Sequence, residues 1–144
     1  PAIWRNGAGA AASLIVATDK KGGLYVYDLA GREKSFLPAP GLNNVDLVEL
    51  ADGTVLVAAS DRADLARAHV YLARLDTGSG RLEPLGRIEI GAGEGYGICL
   101  GEIMTDGAIE LLSPVKEGTI YSTILRRNAD GKWSGQTTAV FAVP

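Results

Sequence analysis

A short unit recurs three times along this chain: a strand-like apolar segment, then a cation, then a second strand-like segment that carries a tyrosine. The tyrosines follow one another at intervals of 46 and 50 residues and are Tyr25, Tyr71 and Tyr121. The cations follow at intervals of 42 and 54 residues and are Lys20, Arg62 and Lys116. One four-stranded sheet cannot cover its own apolar faces, so a period in the forties predicts four-stranded antiparallel blades stacked as in a β-propeller.

Four strand-length segments fit into each repeat. The predicted strands, in chain order, are residues 2–4, 13–17, 24–28, 33–37, 44–50, 54–60, 69–75, 82–90, 96–100, 109–112, 119–125 and 137–143. Blade 1 spans about residues 1–40, blade 2 about 41–92 and blade 3 about 93–144. The composition of Asp61–Ala68 favours a helical turn, and we interpret this segment as an insertion between the second and third strands of blade 2.

Length and composition limit the class of protein. The chain has 144 residues, of which 47% are apolar and 22% charged, as expected for one folded domain. Its net charge of −3 and the lack of a basic stripe give no reason to expect binding to nucleic acid or to a membrane surface. No apolar run is long enough to span a bilayer, and no signal-peptide pattern is present. The single cysteine, Cys99, is predicted to be a buried strand thiol.

Three blades do not close a ring, because propellers usually have four to eight. An open set would leave an apolar blade face and unpaired strand edges in contact with water. We therefore expect either that further blades belong to a longer chain or that two copies associate to complete six. The alternatives are a free-standing three-bladed monomer and an unrelated β-sandwich.

The repeat also predicts a site. When the four strands of a blade are lettered a to d from the propeller axis outward, the b-to-c turns and the d-to-a crossovers lie at the same end of the sheets, here called the mouth. Each repeated cation follows strand b, so all three should meet there. The crossovers add Asn43 and Asn44 before blade 2, and Glu94, Gly95 and Tyr96 before blade 3.

Cations that converge on one place favour binding of a polyanion such as phosphate, sulfate or carboxylate. The alternative is that these long side chains are simply solvated. Asp19 and Asp61 directly precede two of the cations, so local neutralisation is a further alternative.

Other candidate chemistry is weaker. The only histidine, His69, lies in a predicted strand and is expected to be structural, and one histidine with one distant cysteine makes neither a zinc site nor a catalytic pair. The glycine-rich segment Gly91–Gly97 lacks the following helix and the lysine of a phosphate-binding loop. The repeated tyrosines are expected to pack, whereas Tyr96 lies at a crossover.

Several of these segments carry a family pattern, in order and over nearly the whole chain. They are Pro1–Trp4, Thr18–Leu29, Leu42–Leu47, Ala58–Arg62 and Glu94–Leu100. Together they resemble the β-propeller phytases. The resemblance implies a six-bladed propeller of which this chain matches the first three blades.

The resemblance also implies a function: calcium-dependent hydrolysis of phosphomonoesters of myo-inositol hexakisphosphate, in an extracellular or periplasmic protein. The positions that match the family's phosphate-binding residues are Lys20, Arg62, Tyr96 and Lys116. A partial calcium site would use Asn44, the carbonyl of Val45, and Asp46. The alternative for that stretch is a strand-entry turn in which Asn44 caps backbone groups.

This chain also departs from the family pattern. Val48 stands where arginine is usual, Asp61 where asparagine is common, and no acidic residue precedes Pro1. The family's calcium-binding carboxylates come largely from the last three blades, so this chain would supply the cationic half of the site. A second hypothesis is therefore a non-catalytic half-propeller that binds phosphorylated ligands or pairs with a partner. A third is a propeller scaffold with no affinity for anions.

Overall fold

A computed structural model describes all 144 residues, Pro1 to Pro144. The chain forms three four-stranded sheets, and within each sheet neighbouring strands in sequence pair antiparallel. The only helical element is a 3-10 turn at Ala10–Ala12. No helix has the length and apolar character needed to cross a membrane. The predicted all-β class and the four-stranded sheets are confirmed, and they are consistent with propeller blades.

The strands divide evenly among the sheets. Blade 1 contains β1 (Ala2–Trp4), β2 (Leu14–Asp19), β3 (Gly23–Asp28) and β4 (Glu33–Pro38). Blade 2 contains β5 (Leu42–Glu49), β6 (Val55–Asp61), β7 (Arg67–Leu75) and β8 (Leu82–Ala92). Blade 3 contains β9 (Cys99–Ile103), β10 (Ile109–Pro114), β11 (Thr119–Arg127) and β12 (Trp133–Ala142).

The middle blade explains why one strand lacks alternation. All seven residues of β6 are buried. Val55, Val57 and Ala59 face a core shared with blade 1, whereas Leu56 and Ala58 face a core shared with blade 3. A strand covered on both faces has no position facing water, which accounts for the continuous apolar run Val55–Ala59. The buried Ser60 and Asp61 at its end are hydrogen-bonded instead.

The register confirms that the three repeats are equivalent. The tyrosines of β3, β7 and β11 oppose, respectively, Ala17, Ala59 and Ser113 on the neighbouring strand. In every blade the cation is the third residue after that partner. The spacing therefore identified positions that correspond in three dimensions.

The repeated tyrosines pack, as predicted. The rings of Tyr25 and Phe36 stack with centroids 4.5 Å apart, and Tyr71 packs on the core between blades 1 and 2. The hydroxyl of Tyr121 donates to the carbonyl of Ala92 at 2.8 Å. Burial raises the pKa of Tyr71, with a further contribution from the charge of Asp61. This phenol is therefore protonated at neutral pH.

The predicted burial of Cys99 is wrong. Cys99 is the first residue of β9 and is exposed. The next residue, Leu100, packs on the core between blades 2 and 3. Because successive side chains of a strand point to opposite faces, Cys99 points away from blade 2.

The predicted helical turn within Asp61–Ala68 is also absent. Asp61 ends β6, and bends lead from there to β7. Two aspartates capture backbone N–H groups in this loop: Ala63 donates to Asp61 Oδ1 and Ala66 donates to Asp64 Oδ1, both at 2.9 Å. Such local bonds compete with helix formation and favour a turn. The loop joins the second and third strands of blade 2, as expected for an insertion there.

Candidate functional site at the mouth

Each blade closes its mouth end with the same backbone bond. The N–H that follows strand d donates to a carbonyl in the b-to-c turn of the same blade. The three bonds, of 3.0, 2.8 and 2.8 Å, are Ala39 to Gly22, Gly93 to Ala66 and Val143 to Gly118. This repeated bond fixes the turns that carry the cations relative to the chain leaving each blade.

The backbone of the cations also holds the crossovers. Arg62 N–H donates to the Gly41 carbonyl at 2.9 Å, and Lys116 N–H donates to the Glu94 carbonyl at 3.0 Å. Gly41 N–H in turn donates to the carbonyl of Lys20 at 2.9 Å. The first crossover therefore links Lys20 to Arg62, and the second crossover is bonded to Lys116 at the same end of the sheets.

Glu94 joins two of the cations directly. It is only 7% exposed, and its carboxylate forms ion pairs through Oε1 with Arg62 Nη2 and through Oε2 with Lys116 Nζ, the latter at 3.5 Å. Glu94 Oε1 is buried and forms an ion pair with Arg62 but no hydrogen bond. Arg62 and Lys116, from neighbouring blades, therefore converge on one carboxylate.

The neighbouring aspartates do not form ion pairs with the cations that follow them. Asp19 Oδ1 accepts the N–H groups of Lys21 and Gly22 at 2.8 and 3.2 Å. Asp61 is buried, and its Oδ2 accepts from Arg87 Nε at 2.6 Å. None of the eight ion pairs of the chain includes Lys20, which is exposed.

Tyr96 is held at the mouth by its backbone. Its carbonyl accepts from Asn43 Nδ2 at 2.6 Å and from Asn44 Nδ2 and Ser60 Oγ at 3.0 Å each. Ser60 Oγ also accepts the N–H of Asn44 at 3.0 Å. Tyr96 itself is 49% exposed. Three donors from blade 2 thus fix the crossover into blade 3 and leave the phenol accessible.

The glycines of this crossover allow close packing. A Cβ on Gly95 would lie 2.7 Å from the carbonyl oxygen of Asp61, and one on Gly97 would lie 2.6 Å from Pro114 Cγ. The N–H groups of Tyr96 and Gly97 both donate to the Pro114 carbonyl. These contacts belong to the crossover, which is why β9 begins at Cys99, three residues later than predicted.

The proposed calcium triplet has other partners. Asn44 directs its amide nitrogen at the Tyr96 carbonyl, which agrees with the alternative in which it caps backbone groups. Val45 is buried. Asp46 Oδ1 accepts from Leu47 N–H at 2.9 Å and Oδ2 from Leu100 N–H at 2.8 Å. Calcium takes about six to eight oxygen ligands, so this triplet by itself does not fit the ion.

The structure contains no group of three or more histidine, cysteine, aspartate or glutamate side chains placed to hold a metal. Calcium therefore stays a prediction that depends on the family resemblance.

Sequence reasoning placed Lys20, Arg62, Tyr96 and Lys116 at one end of the sheets, and the structure puts them there. It named Glu94 as a crossover residue but gave it no role. No local sequence pattern reveals that role, because it depends on Arg62 and Lys116 meeting the same carboxylate. Ser60 lay in a predicted strand and in a family segment but was given no role, since a single serine within an apolar strand does not indicate one.

Comparison with known proteins finds related sequences. The family model described as Phytase matches residues 1–143. A 3-phytase of Bacillus subtilis (strain 168) is 30% identical over 125 residues, which cover 82% of this chain and 33% of that protein. The chain thus spans about a third of the length of the curated relative it matches.

Proposed function

Because this chain belongs to the phytase family, we propose that it supplies the cationic, phosphate-binding part of a phytase-like phosphomonoesterase. Family membership suggests phosphatase activity of the phytase kind. The observation that carries the proposal is the convergence of Arg62 and Lys116 on Glu94, with Lys20 and Tyr96 at the same end of the sheets.

The proposed substrate is myo-inositol hexakisphosphate. Its phosphates present several anionic groups around one small ring, which suits a mouth that offers several separated donors. Arg62 has five N–H donors and Lys116 has three, and Glu94 contacts one nitrogen of each. The remaining donors, the ammonium of Lys20 and the phenol of Tyr96 are free to contact phosphate oxygens.

Within this proposal the residues of the chain bind and orient the substrate. Charge-assisted hydrogen bonds from the cations would hold one phosphate group and stabilise negative charge on its oxygens. Calcium, if bound, would supply an activated water and further charge screening. The described residues do not complete a calcium site, so we propose that its remaining ligands lie outside this chain.

A phosphate-release assay tests the proposal. The substrate would be myo-inositol hexakisphosphate with millimolar calcium, applied to this chain and to the longest natural chain that contains it. We expect release from the longer protein that stops when a chelator removes calcium. No release from either chain would contradict the enzymatic proposal.

A second candidate function is a non-catalytic module that binds phosphorylated ligands. The observation that favours it is the combination of free cationic donors with the absence of an acidic metal-binding group. Binding of hexakisphosphate that is lost in a Lys20→Ala, Arg62→Ala double variant, without any turnover, would support this candidate. Unchanged binding in that variant would contradict both candidates.

We further propose that the outer faces of blades 1 and 3 are covered in the assembled protein, by further blades or by a second copy. Exposed apolar side chains on these faces support this proposal: Ile3 and Phe36 on blade 1, and Phe141 on blade 3. Phe36 opposes Tyr25 and Phe141 opposes Ile120, so both lie on the faces directed away from blade 2. A monomeric mass in solution, with both faces open to hydrogen exchange, would contradict this proposal.

A further inference from the structure

The mouth contains one buried carboxylate whose backbone and side chain are both anchored. Glu94 N–H donates to Glu117 Oε2 at 3.0 Å, and its carbonyl accepts the N–H of Lys116 at 3.0 Å. Its side chain then ends between Arg62 and Lys116. With the backbone fixed on both sides, the position of this carboxylate is set by the fold.

The crossover into blade 2 has a glycine at the position equivalent to Glu94. Gly41 is the counterpart of Glu94, since its carbonyl accepts the N–H of Arg62 as that of Glu94 accepts the N–H of Lys116. Gly41 has no side chain to place between Lys20 and Arg62. The cations of blades 2 and 3 are therefore linked by an acid, whereas Lys20 has no acidic partner.

The ion pairs with Glu94 order Arg62 and Lys116 and leave most of their N–H donors unbonded. The side chain of Arg62 is 29% exposed and that of Lys116 is 62% exposed, whereas that of Glu94 is 10% exposed. The carboxylate thus holds the two cations from the protein side, and their outer donors face the mouth. Ordering long side chains before a ligand arrives reduces the entropy lost when it binds.

We propose that Glu94 is a positioning residue that couples Arg62 and Lys116 into one unit for binding a single phosphate group, while Lys20 binds independently. This inference rests on the proposed function in that the ligand is a phosphate ester. It assigns Glu94 no contact with the ligand. Its effect is exerted through Arg62 and Lys116.

Calorimetry with myo-inositol hexakisphosphate at fixed ionic strength tests the coupling. We expect Glu94→Gln, which keeps the shape and removes the charge, to weaken binding about fivefold even though the protein becomes less acidic. In an Arg62→Ala, Lys116→Ala background the same change should alter binding by less than about twofold, because positioning acts only through those cations. An effect of equal size in both backgrounds, or tighter binding by Glu94→Gln, would overturn the proposal.

The matched control is Glu83→Gln. Glu83 also forms an ion pair, with Arg74 at 2.7 Å, but it lies at the start of β8, at the end of blade 2 away from the mouth. This variant changes the net charge equally and should leave binding within about twofold of wild type.

A second measurement needs no ligand. The heteronuclear ¹⁵N NOE of the Arg62 Nε–H should fall in Glu94→Gln and stay at its wild-type value in Glu83→Gln. An unchanged NOE in Glu94→Gln would overturn the positioning role. If Glu94→Gln does not fold, Glu94→Asp, which keeps the charge but shortens the reach, should show the same fall. Failure of the wild type to bind hexakisphosphate would contradict the proposed function. The NOE measurement would still show whether Glu94 orders the Arg62 side chain.

Discussion

The two ends of the sheets use charge differently. At the end opposite the mouth, where the a-to-b and c-to-d turns lie, five aspartates each accept the backbone N–H two residues further along: Asp28, Asp52, Asp76, Asp106 and Asp130. Three arginines at that end each pair with one of these carboxylates. The mouth has the same turn bonds at Asp19, Asp61 and Asp64 and a one-to-one pair between Asp61 and Arg87. Only at the mouth, however, do two cations share one carboxylate, that of Glu94, and Lys20 there has no acidic partner.

This difference distinguishes charged groups that stabilise the fold from those that can bind a ligand. A one-to-one pair at a turn satisfies both partners locally. A carboxylate shared by two cations leaves donors free, and the surrounding backbone and side-chain bonds keep those donors in place. A change at the mouth should therefore have a larger effect than a matched change at the opposite end.

The largest effect is expected for Gly95→Ala. The added Cβ would lie 2.7 Å from the Asp61 carbonyl oxygen, so the crossover or β6 would have to shift. We expect a loss of about 1–3 kcal/mol in the free energy of unfolding, as for other overpacked sites. Urea denaturation would measure it. The control is Gly7→Ala, between β1 and β2, where a Cβ would meet nothing within 4 Å; equal losses in the two variants would contradict the account.

A smaller effect is expected for Ser60→Ala. Ser60 is buried, and its hydroxyl accepts from Asn44 N–H and donates to the Tyr96 carbonyl. Its removal leaves the Asn44 N–H without this partner and takes one of three donors from the Tyr96 carbonyl, which should cost about 0.5–1.5 kcal/mol. Ser79→Ala at the opposite end removes an exposed hydroxyl that accepts one N–H at 3.3 Å. Ser79→Ala should change the free energy of unfolding by less than about 0.5 kcal/mol, and a loss equal to that of Ser60→Ala would contradict the prediction.

The smallest expected effect is a loss of thermal stability at acid pH. Backbone N–H donation from Thr54 and the hydrogen bond from Arg127 hold the pKa of Asp52 at about 2, and turn hydrogen bonds lower the pKa values of Asp28 and Asp76. The hydrogen bond from Arg126 is the main cause of the lowered pKa of Asp106. A carboxyl group whose folded-state pKa is depressed stabilises the protein above its unfolded value, about 3.9, and loses that contribution as the pH falls through the folded value. The melting temperature should therefore fall between about pH 4 and pH 2.

The control for this prediction is Asp52→Asn, which keeps the turn geometry but has no titratable group. Its melting temperature should depend less steeply on pH over the same interval than that of the wild type. Identical slopes would show that the turn carboxylates at the opposite end do not contribute to stability in the way proposed here.

Much of the fold could be predicted because it depends on local sequence. Strand alternation and aspartate-glycine turns depend only on neighbours along the chain, and the spacing of Tyr25, Tyr71 and Tyr121 can be counted without knowing any contact. Even the unbroken apolar run of β6 marked a strand, although its burial on two faces became clear only from the stacked sheets.

One error lies at a contact between blades, and another lies in a loop whose own side chains compete with helix formation. Cys99 is exposed because Leu100 takes the position facing the core. The bends after β6 form because Asp61 and Asp64 capture backbone groups of the loop. Glu94 could be placed at the crossover, but its sharing between Arg62 and Lys116 depends on two turns more than 20 residues away on either side, which no local pattern encodes.

Binding of myo-inositol hexakisphosphate to two charge-matched double variants shows whether the phosphate site lies at the mouth. Arg62→Ala with Lys116→Ala removes two cations from the mouth, and Arg126→Ala with Arg127→Ala removes two from the opposite end. Calorimetry should show at least about a tenfold loss of affinity for the first variant and a change within about twofold for the second. Equal losses in both variants, or no loss in the first, would contradict the assignment of the phosphate site to the mouth.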